Sequence, residues 1–325
     1  MRTLLSSAGE LVRLESELDW AGRRMSEGLG DALRGPEAIA ERTPTMTVLV
    51  EAKSEPFDVR GWTALGRSAW ERNGSVVVTD IATSGFDCRL RVDDMPTFTF
   101  RRRPPARERA AAIALPSRAR LLRRSALVLY PVLWAAGVQG RVPLHACAST
   151  AGDEVVLLSG PSGVGKSTLV AREIGAGGRA TSDNLCVSDG ASVWGVAEPA
   201  RLPGASGKRS SHGRRETPLT GWVAEMVPDR VVLLAKSDAP AIARPCEPSR
   251  ATRALAAGTY MAGELRRFWP IAATWSLGTG RGPVHPAVWS TAEAFTRRVH
   301  CTEVRLQSGS DARLAELLAE EPSWA

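Results

Sequence analysis

Apolar residues recur at helical spacing from Leu4 to Leu33, through Leu4, Ala8, Leu11, Leu14, Leu18, Ala21 and Met25, with Glu and Arg between them. That period predicts an amphipathic helix opening the chain. Runs rich in β-branched and apolar residues at Thr47–Val50, Ser75–Thr79 and Phe86–Val92 predict strands, set apart by turn residues such as Asn73-Gly74 and Ser84-Gly85. Pro104, Pro105 and Pro116 bracket a connection, and Ser117–Val138 reads as a largely apolar helix beyond it. A smaller α/β domain therefore occupies residues 1–140, with the boundary near residue 140.

Past that boundary, Val142–Ser149 and Glu154–Ser159 read as two strands joined by a turn at Ala151-Gly152-Asp153. Val231–Leu234 predicts a buried strand, and Met261–Trp269, Ala292–Val299 and Asp311–Leu318 predict helices. Pro203–Pro218, dense in Gly, Ser, Arg and Lys and without apolar period, reads as a mobile basic loop. No internal repeat or long low-complexity tract interrupts this order. The fold class is α/β, with a second domain over residues 141–325.

Composition narrows the picture. Of 325 residues, 43% are hydrophobic and 24% charged, which is a globular balance and not a disordered one. The longest nearly uncharged stretch, Ser125–Val138, contains Pro131 and is shorter than the roughly 20 residues that span a bilayer. Glu10, Arg13 and Glu15 interrupt the N-terminus before a signal-peptide core can build, so the expectation is a cytoplasmic protein without membrane contact. The net charge is +7, yet only four of the 42 basic residues are lysine. An arginine excess of that kind fits a GC-rich coding sequence and solvated clusters such as Arg101-Arg102-Arg103, and no nucleic-acid partner is expected. Five cysteines, far apart and without a C-x-x-C pair, read as reduced, buried thiols.

The chemistry concentrates in one segment. Gly160-Pro161-Ser162-Gly163-Val164-Gly165-Lys166-Ser167 satisfies G-x-x-x-x-G-K-[ST], with the apolar strand Val155–Leu158 before it and a helix from Ser167 to Ile174 after it. Glycines let successive backbone N–H groups face phosphate oxygens without Cβ clashes, and the helix N-terminus turns its unpaired donors on the same anion. Lys166 is expected to reach the β- and γ-phosphates of ATP, and the Ser167 hydroxyl to ligate the Mg²⁺ that bridges them. Thr168 closes the binding set. Glu173 lies inside the helix and is badly aimed, so the next carboxylate, Asp183 in Thr181-Ser182-Asp183-Asn184, is the candidate metal organiser. Only one helix and a turn separate it from the loop, unlike the distant aspartate of most P-loop ATPases and GTPases.

Leu144-His145-Ala146 before the loop strand, the loop Gly160–Thr168 itself, and the short helix followed by Ser182-Asp183-Asn184 together resemble the HPr kinase/phosphorylase family and its wider HPr-kinase-like relatives, which share a phosphoenolpyruvate-carboxykinase type of nucleotide-binding fold. The resemblance covers residues 142–200, weakens over the rest of the C-terminal half and does not reach the first 140. It implies transfer of the γ-phosphoryl group of ATP to a hydroxyl, with Lys166 and Mg²⁺ neutralising the transferred group, His145 near the acceptor or phosphate, and an aspartate accepting the proton.

The chain departs from the family at one position. Where two adjacent aspartates are usual it has Asp183 and Asn184, and an amide does not take a proton near neutral pH. Either Asp183 serves both metal and base, or another carboxylate such as Glu198 contributes, or transfer is lost. The family's Glu-Ile-Arg-Gly signature has only a loose analogue, Glu198-Pro199-Ala200-Arg201, so HPr itself is not expected as acceptor. A peptide or protein Ser/Thr or a small metabolite remains, and self-association is left open. The rivals are a nucleotide-binding regulatory or scaffold protein without phosphotransfer, and an ordinary P-loop ATPase.

Secondary candidates surround this set. Arg201, Lys208, Arg209, His212, Arg214 and Arg215 lie on or beside the basic loop, where a guanidinium clamps anionic charge or is merely solvated. Gly258–Trp269 either walls an acceptor pocket or packs as helix, and Trp194, Trp222 and Trp275 read as core or interface.

Overall fold

A computed structural model of the chain describes residues 1–35, 42–202, 207–209, 214–307 and 309–321. The architecture is mixed α/β with several sheets, in two compact units. Met1–Gly140 and Arg266–Pro286 fall in the first, and Arg141–Lys208, Arg214–Leu265 and Ala287–Ala325 in the second.

The expected N-terminal helix is absent. Arg2–Ser7 and Glu10–Ser16 form an antiparallel hairpin, turning through Ala8 and Gly9 in the left-handed region, and only Asp19–Ser26 is helical. In Glu10–Ser16 burial alternates strictly, with Glu10, Val12, Leu14 and Ser16 inward. Two of those four inward residues are polar, so the period-two signal was masked and the leucines alone mimicked a helical stripe.

The hairpin belongs to a nine-stranded sheet. Glu10–Ser16, Met46–Glu51 and Pro96–Arg102 run parallel as neighbours. From Pro96–Arg102 the sheet continues as antiparallel hairpins through Phe86–Val92, Ser75–Val78, Ala69–Arg72 and Thr63–Gly66. Phe98 projects into an aromatic core, with ring centroids 5.0 Å from Trp275 and 5.7 Å from Trp134. Trp275 comes from the helix Gly263–Thr279, whose residues from Arg266 onward belong to this unit. A continuous helical run, Pro116–Val138, is long and apolar enough by length and composition to cross a membrane, but 78% of its most apolar window is buried inside the protein. Its Ser125–Leu129 turn is π-helical, just before Pro131, whose missing N–H leaves the ladder short of a donor.

In the second unit, Glu154–Ser159, Arg230–Ser237 and His300–Gln307 form the parallel centre of a five-stranded sheet, flanked antiparallel by Ala146–Ala151 and Ile242–Pro245. Near-continuous apolar runs such as Val231–Leu234 suit strands covered on both faces. The expected single strand Val142–Ser149 is broken: Val142–Leu144 pairs with Cys186–Ser188 in a separate four-stranded sheet, and Ala146–Ala151 pairs with Glu154–Ser159. His145 is the residue at the switch. Arg215–Thr217, expected in the basic loop, is instead a strand paired with Ala200–Leu202. The helices expected at the C-terminus are present as Gly263–Thr279, Val288–Arg298 and Leu314–Ala319, with Pro248–Met261 in addition.

Candidate functional site

The strand Glu154–Ser159 delivers the loop and the helix Lys166–Gly175 receives it, as the motif requires. Gly163 and Gly165 have φ of 78° and 121°, a region L side chains rarely adopt. Gly160 is held for another reason: a Cβ there would come within 2.9 Å of both the Cβ and the carbonyl oxygen of Leu234 on the neighbouring strand. The crest, Pro161, Ser162 and Gly163, is exposed, and a Cβ on Gly163 would meet nothing within 4 Å. Val164 is buried beneath it. The bend is therefore open, and the first N–H groups of the following helix have no intrahelical acceptor.

Lys166 is 5% exposed and folds back over its own loop, donating from Nζ to the Gly160 carbonyl at 2.7 Å. Its Nζ also lies 3.4 Å from His145 Nε2, which is 3.0 Å from Asn184 Oδ1. A single Nε2 cannot both donate to that oxygen and accept from the ammonium. The Gly160 carbonyl accepts from the lysine in either tautomer, and the tautomer decides whether Nε2 donates to Asn184 or accepts from Lys166. Burial first, then the charge of Lys166, hold His145 down to about 4, so the ring is neutral at pH 7. Burial also lowers the Lys166 ammonium, against the opposing pull of Cys147, Asp183 and Glu264.

The two sheets explain the meeting of His145 and Asn184. Arg179–Thr181 runs beside Ala146–Ala151, with Thr150 N donating to Arg179 O and Thr181 N to Ala148 O, both at 2.9 Å. Leu144 then faces Cys186 in the other sheet. The chain crosses between sheets twice, at His145 and at Asp183-Asn184, and the crossings are side by side. Asp183 is 6% exposed and accepts from the Arg201 backbone N–H through Oδ2 at 3.2 Å.

Arg201 is not a free clamp. Its Nη1 donates to Glu264 Oε1 at 3.0 Å and its Nη2 lies 3.7 Å from Glu198 Oε1. Burial works against its charge, but Glu198 and Glu264 outweigh it and raise the guanidinium above its ordinary value. Burial likewise pushes the Glu264 carboxyl up, yet Arg201 prevails and holds it below the usual range. Of the other basic candidates, Arg214 is near enough for its charge to help depress Lys166; Lys208 and Arg209 are exposed, and Arg215 donates to the Gly207 carbonyl. His212 lies outside the described residues.

Of the segment Gly258–Trp269, the residues Gly258, Thr259 and Glu264 meet the site. Thr259 Oγ1 accepts from the His145 backbone N–H at 3.0 Å, the Gly258 main chain bonds the imidazole, and Glu264 holds Arg201. Sequence reasoning pointed to the segment but gave Glu264 and Thr259 no role, because nothing local marks residues that meet their partners 63 and 114 positions away. Ser182 Oγ, 5% exposed and without a hydrogen-bond partner among the described residues, was given no role either. Glu173 is structural: its carboxylate accepts from Leu314 N at 2.8 Å and Arg313 Nη2 at 3.1 Å, capping the helix Leu314–Ala319. Trp275 is a fully buried core residue, while Trp194 and Trp222 are half-buried.

The arrangement offers an exposed glycine-rich crest, a buried lysine behind it, a neutral imidazole and a buried carboxylate, groups of the kind that neutralise and align an oxyanion. The chain matches no protein-family model and no curated protein.

Proposed function

We propose that the second unit is an HPr-kinase-like, P-loop phosphotransferase that moves the γ-phosphoryl group of ATP to a hydroxyl, on a peptide or protein Ser/Thr or a small metabolite. The observation that carries this reading is the open loop crest over Lys166, with His145 beside that lysine, Asn184 bonded to His145, and Asp183 near enough for its charge to act on the lysine. Lys166 leaves the Gly160 carbonyl for the phosphates when a triphosphate enters, because a charged acceptor outcompetes a neutral one. Ser167 and Asp183 are hard oxygen donors of the kind Mg²⁺ takes, one hydroxyl and one carboxylate with phosphate and water completing the shell. Among the described residues no cluster of three or more metal-ligating side chains competes for the ion. Held by Ser167 and Asp183, Mg²⁺ would supply charge neutralisation to the transferred phosphoryl group.

Glu198 is committed to Arg201, so the proton of the acceptor falls to Asp183, which keeps an oxygen beyond the one that Arg201 N engages. A loose transition state asks more for charge and alignment than for a strong base, which lets one aspartate serve twice. The test is transfer of labelled γ-phosphate to a panel of hydroxyl-bearing peptides and metabolites, with Lys166→Ala as control. An increase in mass by one phosphoryl group, lost in the variant, is the expected result.

A second reading, a nucleotide-binding regulatory protein without transfer, draws on Asn184, whose amide is occupied in orienting His145. Tight Mg-ATP binding with no transfer to any acceptor would favour it. Release of phosphate independent of acceptor would instead mark an ATPase.

A further inference from the structure

In the first unit the helices Asp19–Ser26 and Pro116–Arg124 touch, and what they bring together is positive charge. Arg120 and Arg123 stand three apart on one face of the second helix, where like charges oppose helix formation. Both are half-buried, as is Arg24 on the first helix. Arg102, the last residue of the strand Pro96–Arg102, lies with its guanidinium carbon 5.4 Å from the ring centroid of Trp20. Burial, then the charges of Arg102 and Arg24, lower the Arg123 guanidinium from its ordinary value.

Little on the chain answers this charge. Glu27 Oε2 takes Arg24 Nη1 at 2.6 Å. Among the described residues, Arg102, Arg120 and Arg123 have no carboxylate within ion-pair distance. Two further donors, Arg24 Nε and Arg120 Nη1, are buried with no hydrogen-bond partner among the described residues. A guanidinium N–H taken from water and left unpaired costs stability, and neighbouring like charges add to that cost. Each orphan is a donor on a cation, so an anion is what completes the group. A carboxylate has two oxygens and is filled by one guanidinium fork. A phosphate-type oxyanion carries more charge and more oxygens, enough for several forks at once.

We propose that Arg24, Arg120 and Arg123, with Arg102 braced on Trp20, form a binding site for a phosphate-type oxyanion in the first unit. None of these residues belongs to the loop or to the groups around Lys166, so occupancy of one site does not require occupancy of the other. The full chain, labelled with fluorotryptophan, is titrated with inorganic phosphate at constant ionic strength and followed by fluorine NMR, the Trp20 resonance being assigned through Trp20→Phe. That resonance shifts and saturates. Arg123→Gln weakens the titration by about tenfold or more, the loss of a charge-assisted bond, and Arg120→Gln acts in the same direction. Unmoved resonances of the other tryptophans show that both variants are folded. Lys166→Met leaves the Trp20 titration as it was. Vesicles of phosphatidylcholine with phosphatidylglycerol, set against phosphatidylcholine alone, present the same oxyanion on a lipid. Retention on the charged vesicles that Arg123→Gln abolishes assigns the oxyanion to a headgroup; a saturating phosphate titration without retention assigns it to a solute. The inference is overturned if Lys166→Met abolishes the Trp20 response, or if neither phosphate nor vesicles give a response that Arg123→Gln weakens.

Discussion

The heart of the first unit and the nest around Lys166 in the second are both buried, and they are built on opposite principles. Around Phe98, the rings of Trp134 and Trp275 pack edge to face, and Trp134 Nε1 donates to Ser276 Oγ at 3.1 Å. That region gains stability from apolar area and dispersion. In the nest, Lys166, His145, Asp183, Arg201 and Glu264 are all removed from most of the solvent, and burial works against the charge of each ion whose shift is resolved. Burial without full compensation costs stability, and it persists where the groups serve another end. Glu173 makes the contrast within one unit: with backbone N–H groups and Arg313 around it, that carboxylate is wholly absorbed in holding a helix.

The sharpest way to break the contrast is to exchange a residue on each side. Lys166→Met should lower phosphoryl transfer by about a thousandfold, the scale at which a cation on the transferred group acts. The variant should still unfold at a denaturant concentration no lower than the unaltered chain, since an apolar side chain replaces a buried ammonium. A large loss of stability would show that the lysine is a structural part. Trp275→Ala in the aromatic core should cost about 3–5 kcal/mol in chemical denaturation, through a cavity that neighbours cannot fill. A loss below about 1 kcal/mol would mean the rings there are loosely packed.

The next test uses pH. His145 is depressed to about 4 from an ordinary value of 6.5, so the unfolded chain binds the proton first. Its contribution is complete above about pH 6.5 and is lost as pH falls toward 4, on the order of 3 kcal/mol. Unfolding free energies at pH 7 and pH 5 capture about 2 kcal/mol of it, and His145→Gln should flatten the difference. Glu173→Gln should cost about 1–3 kcal/mol, because it weakens bonds to Leu314 and Arg313, with Mg-ATP affinity unchanged in the folded variant. The smallest effect is expected from Asn184→Asp: transfer rises by about tenfold or less if a second carboxylate relieves Asp183 of the proton. A fall would show that the amide's hold on His145 matters more.

Much of the second unit was readable because its signals are local. The loop motif, the strand before it and the helix after it are contiguous, and glycines at 163 and 165 carry the positive φ that the turn demands. The turn at Gly152, φ 62°, and the strand around Val231–Leu234 were equally plain. The N-terminal hairpin was misread because Glu10 and Ser16 occupy inward positions that the period count expects to be apolar. The break at His145 was invisible, since both flanking runs are apolar and only the choice of partner strand separates them.

The sequence by itself determined the glycine-rich loop between strand and helix, its glycine geometry, and the nearness of Asp183 in the chain, because each depends on backbone conformations and spacings over a few tens of residues. Only the tertiary structure decided that His145 meets Asn184, that Arg201 is pinned between Glu198 and Glu264, and that Trp275 closes the core of the first unit. Those pairings join residues remote along the chain, and which remote groups meet is fixed by the packing of whole sheets and helices, for which no short stretch of residues carries the information.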